Sequence, residues 1–306
     1  MVVTTGRPTM PARMAKQVGP RMPTQAANVM FGPIPNSQGQ RIVIYGPGGI
    51  GKTTLACTAP GPVAMGDLDG SLPILKPKLV GLDVRVVSGL ETWNNLRDAI
   101  NAPGWDAIKT LVIDTITRAE ELAGAFTLAT VPHEKGGLIT RIEDYGYGKG
   151  YTHIYETFLP LLADLDRHCQ AGRNVILVCH ECTAPVPNPM GEDYIRYEPR
   201  LQSPTSGKAS IRLRVREWAD HLLFIGYDID VKKAAKDRAG KAKGSGTRTI
   251  YPCELPHCMA KSRILSNAFT LSDPWANPQA AGGYDTAVWD ALFGAPDGDK
   301  PTEQEA

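Results

Sequence analysis

The stretch from Arg41 to Ala56, RIVIYGPGGIGKTTLA, constrains this chain more than any other. An apolar β-type run, Ile42 to Tyr45, feeds the turn Gly46-Pro47-Gly48-Gly49-Ile50-Gly51. Lys52, Thr53 and Thr54 then open a helix-compatible segment. This is G-x-x-x-x-G-K-[ST] in a strand–turn–helix setting, the phosphate-binding P-loop. Glycine lets the backbone wrap closely around phosphate oxygens with its N–H groups turned inward. Such a loop assigns Lys52 to the β and γ phosphates and the Thr53 hydroxyl to Mg²⁺. A glycine-rich loop that binds nothing is the plainer alternative, and the flanking strand and helix argue against it. The expected triphosphate cradle comprises Gly46, Pro47, Gly48, Gly49, Ile50, Gly51, Lys52, Thr53 and Thr54.

A second motif supports the first. Ile108-Lys109-Thr110-Leu111-Val112-Ile113-Asp114-Thr115 is an apolar run ending in a carboxylate. In P-loop proteins an aspartate at such a strand end holds the Mg²⁺ shell. Two strand candidates, Val63 to Met65 and Val84 to Val87, lie between the motifs. That order suits the RecA/AAA-type branch, in which an additional strand separates the two. Asp67-Leu68-Asp69-Gly70 reads as D-x-x-G, a GTPase feature, yet no [NT]-K-x-D guanine-reading motif occurs. ATP is therefore the expected nucleotide.

Composition sets the remaining bounds. At 306 residues and 42% hydrophobic content the chain suits a soluble globular fold of one or two domains. Its net charge of +1 leaves only local clusters to inform on partners. Six scattered cysteines fit a reducing cytosol, and no apolar run approaches the ~18 residues of a membrane span, so a cytoplasmic protein is expected. Cys179-x-x-Cys182 and Cys253-x-x-x-x-Cys258 have spacings that a Cys₄ zinc site could use, but Cys179 falls in a predicted buried strand, where a thiol serves as a small hydrophobe. Residues 1–40 carry basic residues, no acid and six prolines, and read as a disordered basic arm.

Further along, Leu90 to Ile100 and residues 115–130 read as helices. Asp144 to Tyr151 form a glycine- and tyrosine-rich stretch, and residues 152–170 return to a helix with Ile154, Phe158, Leu161, Leu162 and Leu165 on one face. Asn174 to Cys179 read as a buried parallel strand ending in His180-Glu181. A polar residue at that strand end can sense the γ-phosphate in the RecA-like branch, which makes His180 a candidate beside the plainer reading of a structural histidine. Residues 183–210 read as loop, with strands resuming at Ala209 to Val215 and Leu222 to Asp230. Lys232 to Arg248 hold seven basic residues against one acid and read as a basic hairpin tip or loop. A short helix over 283–293 and an acidic tail from Asp297 close the chain.

With these pieces placed, the chain resembles the phage-encoded RecA-like single-strand annealing proteins, a phage AAA-type group of P-loop ATPases. The likeness covers about residues 40–265. It is carried by the P-loop, Asp67-x-Asp69-Gly70, Leu111-Val112-Ile113-Asp114 and Tyr147-Gly148-Lys149-Gly150-Tyr151. Val178-Cys179-His180-Glu181, Gly207-Lys208-Ala209, Trp218-Ala219-Asp220 and Ala260-Lys261-Ser262-Arg263 follow in order. The resemblance implies an α/β fold, a RecA-like P-loop core over 41–271 with a central mostly parallel sheet flanked by helices. Extra antiparallel strands lie toward the C-terminus, and 272–306 form a short helix and tail. It also implies ATP and Mg²⁺ as cofactors, single-stranded DNA as a partner, a homo-oligomer, and a companion single-strand-binding protein. Asp69 stands where such proteins place the glutamate that orients the attacking water, one methylene shorter. Lys208, Lys261 and Arg263 resemble basic residues that reach a neighbouring subunit's nucleotide.

Catalytic expectations therefore fall on Lys52, Asp69, Asp114 and His180, with Thr53 and Asp114 on Mg²⁺. Aromatic and basic loop residues can stack bases and track a phosphate backbone. Tyr147, Lys149, Tyr151, Arg196, Arg200, Lys232 and Lys233 are the candidates for DNA contact, with an ordinary solvated loop as the plainer reading of each. The competing classes are a non-hydrolysing, ATP-stabilised annealing scaffold and another P-loop enzyme, a kinase or partitioning ATPase, that binds no DNA.

Overall fold

Buried apolar segments form the centre of a parallel sheet whose two faces are both covered, which explains why they read as unbroken hydrophobic runs, and the short, exposed edge strand is the exception. In the computed structural model, which describes residues 32–34, 38–137, 139–205, 208–232, 241–272 and 285–294, the first is β1 (Arg41–Gly46), followed by α1 (Lys52–Cys57). Then come β2 (Val63–Asp67), α2 (Leu72–Leu75), β3 (Val84–Val86), α3 (Trp93–Asn101), β4 (Thr110–Asp114) and α4 (Ile116–Thr130). The chain continues through α5 (Lys149–Gln170), β5 (Asn174–Val186), β6 (Tyr194–Pro199) and α6 (Ile211–Trp218). It closes with β7 (His221–Lys232), β8 (Lys241–Tyr251), β9 (Lys261–Ser262), β10 (Phe269–Leu271) and α7 (Ala287–Phe293).

Two compact units divide the chain, Met1–Asn36 and Ser37–Ala306. Of the first, only residues 32–34 are described, without regular secondary structure. The expected basic arm up to residue 31, Lys233, Lys236 and Arg238 of the basic segment, and the acidic tail from Asp297 lie outside the described residues.

The sheet order is β10-β8-β7-β1-β5-β4-β2-β3. Strands β7, β1, β5, β4, β2 and β3 run parallel, and β8 and β10 extend the sheet antiparallel beyond β7. The P-loop strand β1 and the aspartate strand β4 are thus separated by one strand, β5, which comes later in the sequence than either. Strand alternation sorts the core. Val43, Tyr45, Leu111, Ile113, Val175, Leu177 and Cys179 join Leu96, Ile116, Phe158, Leu161 and Val215 of α3 to α6. Ile42, Ile44, Val112, Ile176 and Val178 join Leu55 and Ala56 of α1 and Val288, Trp289 and Leu292 of α7. Trp289 Nε1 donates to Leu55 O at 3.1 Å and to Thr58 Oγ1 at 3.0 Å, so the core continues past residue 271.

Three local expectations are corrected. Ala209 to Val215 do not form a strand: Ser210 caps α6 by accepting from Leu213 N at 3.1 Å, and Ile211, Val215 and Trp218 bury one helical face. Residues 183–210 are not simply loop, because β5 and β6 pair antiparallel from Glu181↔Pro199 to Val186↔Tyr194. The glycine- and tyrosine-rich stretch is not one loop either. Ile142–Tyr145 form a 3₁₀ turn, Gly148 takes a left-handed conformation at φ 73°, and α5 already begins at Lys149.

Candidate functional site

The carboxyl ends of β1, β2, β4 and β5 meet at one sheet edge, where the register places Gly46 opposite His180 and Asp114 opposite both Asp67 and Val178. Ligands of open α/β sheets bind at such an edge. Gly46 is required there by close approach, since a Cβ on it would stand 2.2 Å from Ile225 O of β7. Gly49 and Gly51 have φ of 74° and 106°, and at Gly48 and Gly49 an added Cβ would meet nothing within 4 Å. The loop between β1 and α1 therefore presents bare backbone to solvent, and no side chain caps α1.

Lys52 is buried, and its Nζ donates to Gly46 O and Pro47 O, each at 2.8 Å. Burial pulls its pKa below the ordinary lysine value, against the opposing pull of Asp114, Cys179, Glu181 and Asp69. Thr53 Oγ1 donates to Asp114 Oδ2 at 2.6 Å. Asp114 is 2% exposed. Burial lifts its pKa to about 6, the Thr53 hydrogen bond and Lys52 counter the rise, and Asp69 and Asp67 add to it.

Asp69 lies beside Asp114. Leu68 N and Asp69 N both reach Asp114 O, at 2.6 and 3.3 Å. The Asp69 carboxylate lies 3.5 Å from Thr115 Oγ1 and 3.3 Å from His180 Nε2. Thr117 Oγ1 accepts the His180 backbone N–H at 3.2 Å. Asp67 has a structural part: it accepts from Ser71 N and Leu72 N at 2.9 and 2.8 Å and fixes the start of α2. Lys52, Thr53, Asp69, Asp114 and His180, far apart in sequence, are thus gathered at one place.

A cleft of about 870 Å³ adjoins the loop. One wall is the region of α2, with Ile74, Leu75 and Lys78; the other is the β7–β8 hairpin, with Tyr227 and Arg248. Arg248 Nη1 donates to Ile50 O at 2.8 Å and Nη2 to Ser272 O at 2.7 Å. Sequence reasoning grouped Arg248 with a basic segment and did not mark Tyr227, because only the hairpin pairing Tyr227↔Arg248 brings both over the loop. Glu181 lies one residue beyond His180, and the sequence pattern alone assigns it no role.

The other candidates are dispersed. Arg196 is not on an exposed loop: it is 9% exposed on β6, with Nε 2.8 Å from Glu198 and Nη1 2.5 Å from Glu254. Arg200 is exposed, and its N–H donates to His180 O at 2.8 Å. Tyr147 is fully exposed, Lys149 pairs with Glu134 at 2.7 Å, and Tyr151 OH lies 3.3 Å from Glu143. Lys208 is exposed. Lys261 Nζ reaches the carbonyls of Arg216, Glu217 and Ala219 at the end of α6, and Arg263 Nε pairs with Asp220 at 2.8 Å. The backbone of Lys232 ends β7. Burial pushes the Cys179 thiol up to about 12, with Thr117 Oγ1 3.3 Å away. Among the described residues no group of three or more His, Cys, Asp or Glu is placed to hold a metal ion. Nor is any described helix long and apolar enough to cross a membrane.

Residues 38–264 match the family model described as an AAA domain. No curated protein matches the chain. Among solved structures, the chain is similar to a KaiC-like protein from the hyperthermophilic archaeon Pyrococcus horikoshii OT3, at 16% identity. That match covers 77% of this chain and 86% of the other, with a TM-score of 0.38.

Proposed function

The chain belongs to the AAA domain family of P-loop ATPases, and from that premise we propose that it binds ATP with Mg²⁺, hydrolyses it, and acts on single-stranded DNA in phage-type annealing. The observation that carries the nucleotide half is the Thr53–Asp114 contact beside the buried Lys52. Hydroxyl and carboxylate oxygens suit a hard divalent cation, and Mg²⁺ is commonly held by one or two carboxylates plus phosphates and water rather than by a protein cage. Thr53 and Asp114 would hold the Mg²⁺, which would supply neutralisation of charge on the transferring group.

The protein's own residues supply the rest. The ammonium of Lys52 exchanges the carbonyls of Gly46 and Pro47 for phosphate oxygens. The open amides around Gly48 and Gly49 cradle the phosphates. The adjoining cleft receives the nucleoside between α2 and Tyr227. His180, tied to Asp69 at the strand end, registers the γ-phosphate. DNA contact is supported by the basic composition of 232–248, including Lys232 and Lys233, and by the exposed Tyr147 and Arg200.

A second reading, ATP as an unhydrolysed stabiliser of an annealing oligomer, is favoured by Asp69, whose carboxylate already lies beside Thr115 and His180. Phosphate release measured with and without a single-stranded oligonucleotide separates the two. Turnover raised by the oligonucleotide supports the first reading; ATP binding without turnover supports the second. Lys52→Ala should lose ATP binding by a fluorescent-nucleotide titration, and unchanged affinity there removes the nucleotide assignment altogether.

A further inference from the structure

The residue that follows His180 has a carboxylate oxygen with no hydrogen-bond partner among the described residues. Glu181 sits where β5 passes the ends of β1 and β4 and begins to pair with β6. Its Oε2 is buried and has no hydrogen-bond partner among the described residues. A buried polar oxygen left unpaired is destabilising, and its persistence at a functional edge calls for a ligand or a catalytic part. Asp67 and Asp69 differ in this respect, because both are engaged by neighbouring groups.

We infer that Glu181 is the general base of the hydrolytic reaction, taking a proton from the water that attacks the γ-phosphate, while Asp69 holds the His180 ring. The inference rests on the ATPase reading above and gives that site the base that Asp69, short and already engaged, does not supply. In the step, one O–H bond of the water breaks and its proton passes to the Glu181 carboxylate. The new oxygen–phosphorus bond forms as the bond from the γ-phosphorus to the β–γ bridging oxygen breaks, and ADP departs with that electron pair. The proton then leaves for solvent or inorganic phosphate.

The surroundings suit that work. Burial raises the Glu181 pKa, and Lys52 is the charge that opposes the rise. A base with a raised pKa is a better proton acceptor near neutral pH than an ordinary carboxylate. The same lysine belongs to the phosphate cradle, so the carboxylate and the γ-phosphate answer to one cation. The strand order also contributes: β5 lies between β1 and β4, and Glu181 directly follows His180, the β5 residue that pairs with Gly46 at the start of the P-loop.

The test compares wild-type protein with Glu181→Gln, Glu181→Asp and Asp69→Asn, reading both fluorescent-ATP affinity and phosphate release. General-base loss is expected to lower turnover about 100-fold or more in Glu181→Gln, with ATP affinity within about threefold of wild type because binding does not use the lost proton acceptor. Glu181→Asp should recover part of the rate, and the acid limb of the pH–rate profile should move in that variant, which a merely structural role does not produce. Glu181→Gln that turns over at the wild-type rate, or that loses ATP binding, overturns the inference while leaving the ATPase reading standing. Wild-type protein that binds ATP without releasing phosphate overturns both.

Discussion

Thr53 and Asp114, 61 residues apart, meet at 2.6 Å between the first turn of α1 and the end of β4. Their strands are not neighbours, since β5 lies between β1 and β4. Only the loop after β1, folding back over the sheet edge, brings the hydroxyl to the carboxylate. The contact joins the two oxygen groups proposed to hold Mg²⁺.

Thr53→Ala and Asp114→Asn should each abolish the part of ATP affinity that depends on Mg²⁺ and leave the Mg²⁺-independent part nearly intact. Charge-assisted contacts of this kind contribute about 1.5–3 kcal/mol each, or roughly 10- to 100-fold in affinity. Nucleotide titration with Mg²⁺ and with a chelator reads the difference. Wild-type Mg²⁺ dependence in either variant would remove that residue from the metal shell.

The nucleotide edge was legible in the sequence because its chemistry is local: the P-loop with its flanking strand and helix is sixteen contiguous residues, and the apolar run ending in Asp114 is seven. What lay beyond reach was set by distant pairing. Arg248 and Tyr227 look like members of a basic, β-rich stretch until β7 and β8 fold together and bring them over Ile50. Trp289 looks like part of a peripheral helix until its indole N–H meets Leu55 O. Ala209 to Val215 misled for another reason. Ile211, Leu213 and Val215 alternate as a strand would, yet Ile211, Val215 and Trp218 also fit a helical face, and the Ser210 cap decides between them.

Arg196 shows how burial overrides a charge count. It lies between Glu198 and Glu254, while Arg212 pairs with Glu198 and Arg216 with Glu254. Arg196→Ala strands the buried Glu198 carboxylate with one partner fewer, and removing one member of a buried pair costs about 3–5 kcal/mol. A lower melting temperature is expected, with an unchanged salt dependence of oligonucleotide binding. A shallower salt dependence at wild-type stability would instead restore Arg196 to a DNA surface.

Glu120 gives the fold a pH dependence of its own. Both carboxylate oxygens accept from Gln202 N, at 2.9 and 3.0 Å. Burial raises its pKa to about 7, only partly offset by the Gln202 N–H and by Arg212. A carboxyl with a raised folded pKa binds its proton more tightly in the native state than in the unfolded one. Its contribution is therefore most favourable below the unfolded value of about 4.3 and declines as pH rises through about 7. The shift corresponds to at most about 4 kcal/mol. Urea unfolding at pH 5 and pH 8 should show a smaller loss of stability in Glu120→Gln than in wild type; equal losses would mean that this carboxyl does not titrate in the window.

Arg248 is where the nucleotide cleft and the basic hairpin are mechanically joined. The guanidinium donates to Ile50 O within the P-loop and to Ser272 O just after β10, so one side chain ties β8 to the loop and to the next strand. Gly51 is shaped to admit it, since a Cβ there would stand 2.8 Å from Arg248 Nη1. Two fixed bonds from one planar group are not reproduced by a lysine, so Arg248→Lys is a stringent companion to Arg248→Ala. Loss of the strut should weaken ATP binding roughly 10-fold, the equivalent of one or two charge-assisted hydrogen bonds. If the hairpin also grips DNA, the strut carries the coupling between the two ligands, and coupling is reciprocal. An oligonucleotide should then raise ATP affinity in wild-type protein and not in either variant, while its own affinity without ATP stays unchanged. Coupling of wild-type size in Arg248→Ala would show that the hairpin and the loop communicate by some other path.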